Sequence, residues 1–259
     1  MKRQNELSQT FSKVANGLKD AIDWYDVPIA VAFYNRAQIS RTNFGNCIVL
    51  DPTPFEQSLS NSIGDKNNST LGSMDKDILP DMVFYSRLST NLVLDLFTDA
   101  NITQKNYKDV FLFRKSLIYT YTLTEYIKSF VYRKRPDETD SRSFISGHTS
   151  TTFAAATYLY LELDDFFDGW DVTRRNDVLK NVLKVGSTTV LYGWASFVGY
   201  SRLRDKKHYL SDVISGAIVG SLISYIVYTI HREDEPGLFN NFNLISNNED
   251  VALSFRLGL

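Results

Sequence analysis

Residues 107–134 read YKDVFLFRKSLIYTYTLTEYIKSFVYRK, and the next two are Arg135-Pro136. The run is apolar-rich, carries Arg114, Lys115, Glu125 and Lys128 along it, and holds no glycine or proline. It is far longer than an ordinary strand of ~3–10 residues, so its length and lack of breakers predict a helix. A proline disfavours helical geometry in the residue before it, which ends this helix near 134. Similar stretches at 82–98, 148–163, 173–200 and 208–231 read as further helices. Nearer the start, Leu7, Phe11, Val14, Leu18 and Ile22 recur at the spacing of one helical stripe. The apolar PIAVAFY of 28–34 lacks that period and suggests a short strand. Residues 51–80, with prolines at 52, 54 and 80, form a polar loop or lid holding one short helix. Within the tail, 237–259, Val251, Leu253, Phe255 and Leu257 alternate as a short strand would. The expectation is one all-α domain over 1–259, with minor short strands near the termini.

Composition narrows the class. Lysine and arginine total 28 against 30 acidic residues, a net charge of −2, which argues against a nucleic-acid binder. Cys47 is the single cysteine, so no intrachain disulfide forms. Hydrophobic residues make up 43% of 259, short of the ~120 apolar residues that six bilayer spans need. That excludes a fully polytopic membrane protein and leaves one span open. The uncharged stretch Val213–Ile230 is the candidate, but charged neighbours favour a core helix buried on all sides in a protein soluble without detergent. The opening MKRQNELSQT is basic with no apolar run after it, so it is not an intact signal peptide.

The chemistry gathers around two of the three histidines. His148 lies in Ser146-Gly147-His148 at a predicted helix start, where exposed N–H groups favour anions. His208 precedes Asp212 by four, one helical turn, and a carboxylate there can orient the imidazole. Residues 128–142 and 202–207 together hold nine basic side chains, which suggests a bound anion. Lys128 and Arg135 are two helical turns apart and can point the same way. Arg133 and Lys134 then point elsewhere and read as solvated charges. Arginine grips phosphate oxygens bidentately, while lysine acts as a point charge.

Lys128-x6-Arg135-Pro136, Ser146-Gly147-His148 and Ser201-Arg202-x5-His208-x3-Asp212 together resemble the signature of the type 2 phosphatidic acid phosphatase family. Its superfamily includes class A bacterial acid phosphatases and vanadium-dependent haloperoxidases. The resemblance covers 128–212, and Ile145 stands where the family usually has proline. It implies a helical bundle and a phosphatase of phosphomonoesters or diphosphates, lipid-linked ones included. His208 would be the nucleophile, Asp212 its orienting partner and His148 the general acid. Lys128, Arg135, Ser146, Gly147 and Arg202 would hold the phosphoryl oxygens, with no metal and no cofactor. The partner implied is a phosphorylated small molecule or lipid, with a membrane surface as an open partner and an extracytoplasmic location.

Two other readings compete: a vanadium haloperoxidase, and a non-catalytic phosphate- or lipid-binding module. Binding alone requires neither His208 nor Asp212. Asp164-Asp165-Phe166-Phe167-Asp168 matches a magnesium-diphosphate pattern but reads better as a helix-ending loop. His231 reads as structural at a helix C-terminus, and Tyr200 and Tyr209 as core packing or pocket lining.

Overall fold

A computed structural model describes residues 2–39, 48–65, 70–73, 78–232, 242–247 and 250–255. Cys47 and the stretches 66–69 and 74–77 lie outside the described residues, as do parts of the tail. The chain opens with α1 (Lys2–Asp20), α2 (Asp26–Ile39), β1 (Ile48–Val49) and α3 (Pro54–Ile63). The long helices α4 (Ile78–Phe97) and α5 (Gln104–Phe130) follow, and α5 runs into β2 (Val131–Tyr132). After α6 (Gly147–Gly169) and the single turn α7 (Asp171–Arg174) come α8 (Asp177–Arg204) and α9 (Leu210–Ile230). The tail forms β3 (Phe242–Asn247) and β4 (Asp250–Phe255), an antiparallel pair from Phe242 opposite Phe255 to Asn247 opposite Asp250. The architecture is all-α with minor strands.

Helix α6 is the hub, packed against α5, α8 and α9. Its Ala154, Ala155 and Tyr158 meet Val110, Phe113 and Leu117 of α5 and Val227 of α9 in the core. The Tyr158 ring stands edge-on to Phe113 at 5.6 Å and to Tyr228 at 5.4 Å. Contact between α6 and α9 depends on small residues. A side chain at Gly220 would put its Cβ 2.0 Å from the Ser150 carbonyl, and one at Gly216 would meet the Ser146 carbonyl at 2.7 Å. Gly216, Gly220, Ser224 and Val227 thus form the buried face of α9.

That face corrects the expectation of a helix buried on all sides. Ile214, Ile218, Leu222 and Tyr225 on the other side are exposed, and only 28% of the apolar window is buried. Helix α9 is long and apolar enough to cross a membrane by length and composition.

Other expectations are corrected too. Residues 28–34 are helical, not a strand. Pro28 sits in the first turn of α2, where its missing N–H has no helical partner to lose. The α1 stripe faces outward, with Leu7, Phe11 and Leu18 exposed. The side of α1 that meets α5 carries Gly17, where a Cβ would lie 2.8 Å from that of Tyr107. Helix α5 stops at Phe130, earlier than the proline requires, because Val131 and Tyr132 pair in parallel with Ile48 and Val49. The expected 173–200 helix is divided where Asn176 caps α8, accepting from Leu179 N–H at 3.0 Å.

Candidate active site

All three motifs meet at one end of the bundle. Lys128 occupies the last turn of α5, and Ser146 caps the start of α6. Helix α8 carries Arg202 in its last turn and ends at Arg204, capped by Asp205, after which Lys206 takes a left-handed φ of 53° and turns the chain toward His208. The Lys207 and His208 N–H groups return to the Arg202 carbonyl, at 3.1 and 3.3 Å. Ser146 N–H donates to the Asp212 carbonyl at 3.0 Å, joining the second motif to the third. Gly147 leaves room for the lysine, since a Cβ there would lie 3.2 Å from Lys128 Nζ. His148, half-buried, follows on the first turn of α6.

His208 is 1% exposed. Its Nδ1 lies 2.7 Å from the Ser143 carbonyl, an atom that only accepts, so Nδ1 carries the proton and Nε2 the lone pair. Nε2 is 3.5 Å from Arg135 Nη1. Burial is the largest cause holding the imidazole neutral; Lys128, Arg135 and Arg202 add to it and Asp212 opposes it, leaving a pKa of about 3. The Asp212 carboxylate stands 3.7 Å from Nδ1, beyond hydrogen-bond reach. It accepts instead from Ser143 Oγ at 2.5 Å and Tyr209 N–H at 2.8 Å, so it bears on the ring through the Ser143 segment.

Lys128 and Arg135 converge by a route other than the expected helix. Beyond β2 the chain stays extended, with Arg133 N–H bonded to the Ser141 carbonyl at 3.1 Å and Arg135 N–H to the Asp140 carbonyl at 2.9 Å. Extended backbone alternates its side chains, so Lys134 turns to solvent and pairs with Glu138 at 3.5 Å. Arg133, expected as a solvated charge, is 1% exposed. It reaches Glu56 at 2.8 Å, Ser211 Oγ at 2.6 Å and the Asp212 carboxylate. Arg135 is steadied by Asp140 at 2.6 Å and by the Lys207 carbonyl at 3.1 Å.

Glu56, Arg133 and Ser143 are site-supporting residues that the motif spacing does not mark. The alternation of Arg133 with Arg135 was the available signal, hidden by reading 131–134 as helix. Glu56 has one local signal, the Thr53-x-x-Glu56 capping box at the start of α3. Tyr209 packs beneath the Arg133 guanidinium, 4.8 Å from ring centre, while Tyr200 is exposed.

At the far end of α6, the Asp164–Asp168 stretch is helix rather than loop. Asp164 and Asp168 pair with Lys184 at 2.7 and 2.9 Å, and Asp165 with Arg232 at 2.9 Å. His231 caps α9, its Nδ1 2.7 Å from the Val227 carbonyl and its Nε2 2.7 Å from Asp23. Among the described residues no group of three or more His, Cys, Asp and Glu side chains could hold a metal ion.

Known proteins resemble the chain over part of its length. A Porphyromonas gingivalis protein named lipid A 1-phosphatase is 37% identical over 98 residues, 38% of this chain and 18% of that protein. A probable diacylglycerol pyrophosphate phosphatase of Schizosaccharomyces pombe is 38% identical over 87 residues, 34% of this chain and 29% of that protein. The chain thus spans less than a third of the length of either relative. A crystal structure of Aquifex aeolicus LpxE overlays with a TM-score of 0.45 at 19% identity, covering 70% of this chain and 99% of that one. Residues 109–236 match the PAP2 superfamily. They contain all three motifs, and this stretch of the chain is a PAP2 superfamily domain.

Proposed function

We propose that the chain is a metal-independent phosphatase that removes phosphate from lipid phosphomonoesters or diphosphates through a phosphohistidine. The observation that carries this reading is the state of His208: neutral, with its proton on Nδ1 and its Nε2 lone pair among Lys128, Arg135 and Arg202. In the first step Nε2 attacks phosphorus, the bond to the leaving oxygen breaks, and His148 as imidazolium gives that oxygen its proton. In the second, His148 takes a proton from water, whose oxygen attacks the phosphohistidine and frees Nε2. Lys128, Arg135, Arg202 and the N–H groups around Ser146 and Gly147 stabilise the charge on the transferring group.

The lipid-phosphatase names of the relatives favour this reading over a haloperoxidase or a binding module. The exposed face of α9 fits a substrate met at a membrane, with Ile214, Ile218 and Leu222 against lipid. Motif resemblance alone carries the proposal that the site works outside the cytoplasm. Purified protein given lipid phosphates, isoprenyl diphosphates and p-nitrophenyl phosphate should release phosphate in EDTA and be inhibited competitively by vanadate, which mimics the transferring group. Bromide oxidation with vanadate, or binding without turnover, would contradict the proposal.

A further inference from the structure

Behind the His208 ring lies a chain of buried charges that the three motifs do not include. Glu56, from α3, is 6% exposed and accepts from Ser211 N–H at 3.1 Å, Ser211 Oγ at 2.5 Å and Thr53 N–H at 2.9 Å. Its other partner is Arg133, which bridges to Asp212. Burial works against the Glu56 carboxylate, yet the Ser211 and Thr53 donors and the Arg133 charge outweigh it and hold its pKa below the usual range. Glu56 therefore stays ionised. Helix α3 lies outside the PAP2-matched residues 109–236, so a segment beyond the family's matched part completes this arrangement.

We propose that Glu56 and Arg133 are positioning residues for His208: Arg133 draws the Asp212 carboxylate to itself, and Glu56 balances the charge of Arg133. The proposal rests on His208 being the nucleophile. An uncompensated carboxylate 3.7 Å from Nδ1 would stabilise the imidazolium, and a protonated Nε2 has no lone pair with which to attack. With Arg133 on Asp212, protonation of the ring is pushed to lower pH, and Nδ1–H goes to the Ser143 carbonyl. The other charges bearing on the ring are Lys128 from α5, Arg135 from the loop and Arg202 from α8, all of which oppose protonation. Tyr209 lies under Arg133, Glu138 is near Tyr209, and Asp137 and Asp205 attend Arg202. Helix α6 brings His148 to the same end. None of these cancels the Asp212 charge as Arg133 does.

The test is an NMR pH titration of labelled imidazoles, made tractable by a chain with only three histidines. Arg133→Met should raise the His208 midpoint by roughly one to two pH units, the size typical when a nearby opposite charge loses its own counter-ion. Arg133→Lys should hold it near the parent value. Adding Glu56→Gln to Arg133→Met should bring it part of the way back. In kinetics, the acid limb of kcat should move in the same order, while KM changes less than about twofold because buried Arg133 does not touch substrate. Should Arg133→Met fail to fold, Glu56→Gln alone decides: its acid limb must move to lower pH. A His208 midpoint and acid limb unmoved by these changes, or a rise in KM alone, would overturn the proposal. The titration needs no turnover. A parent chain that hydrolyses nothing would sink the phosphatase reading, whereas normal turnover with unmoved midpoints would sink the positioning role alone.

Discussion

The two ends of α6 are both crowded with charge, and they are built on opposite terms. At its start, Lys128, Arg135 and Arg202 press on an imidazole that burial keeps neutral. At its finish, Asp164, Asp165 and Asp168 are matched by Lys180, Lys184 and Arg232, and Glu162 by Arg87 at 2.6 Å. The first end keeps a lone pair among cations that have acidic neighbours of their own, Glu125 for Lys128 and Asp140 for Arg135; the second holds ion pairs alone. A cluster of acids or bases in a sequence is therefore informative only once its partners are known. The signature at 128–212 reads as chemistry and the aspartate-rich stretch at 164–168 as a helix-ending loop; in the structure, one end holds a buried neutral imidazole and the other only ion-paired carboxylates.

The contrast can be broken from either side. The largest effect is expected at the end that holds the candidate site. His148→Ala should cost ~10²–10⁴-fold in kcat on a substrate with a poor alkyl leaving group and much less on p-nitrophenyl phosphate, whose leaving oxygen scarcely needs a proton. Equal losses on both would remove His148 as the acid. A smaller effect concerns stability. The folded pKa of His208 lies below the unfolded value of ~6.5, so the unfolded chain binds the proton first as pH falls. Stability should thus drop from about pH 6.5 toward about 3. Thermal unfolding of His208→Asn should show a shallower drop across that window; parallel curves would mean that the imidazole is not held neutral. Least of all should happen at the other end. Lys184→Ala should cost at most about 1 kcal/mol, as partly exposed pairs do, and leave kcat/KM within about twofold. A large loss of activity, or one restored by magnesium, would return the aspartate stretch to the chemistry.

Much of this was legible in the sequence. The long helices and every motif residue could be read because the signature spacing survives whatever lies between its parts. Arg133 could not, since its burial depends on Val131 and Tyr132 leaving the helix to pair with Ile48 and Val49, a contact remote in sequence. Glu56 was hidden for the same reason: its partners lie at 133 and 211. Residues 28–34 were misread because an apolar run without period fits a strand or a helix, and only packing against α5 decides. The exposed face of α9 escaped notice since all its faces are apolar; Gly216 and Gly220 were the sign of which side would be buried.

The central claim is that His208 carries the phosphoryl group. The direct measurement is rapid alkaline quenching of the protein during turnover, followed by mapping of the labelled phosphate onto peptides by mass spectrometry. The account predicts phosphate on Nε2 of His208, enriched when His148→Ala meets p-nitrophenyl phosphate and absent in His208→Ala, whose turnover should fall by roughly 10⁴-fold or more. Phosphate on His148, or full turnover by His208→Ala, would contradict it.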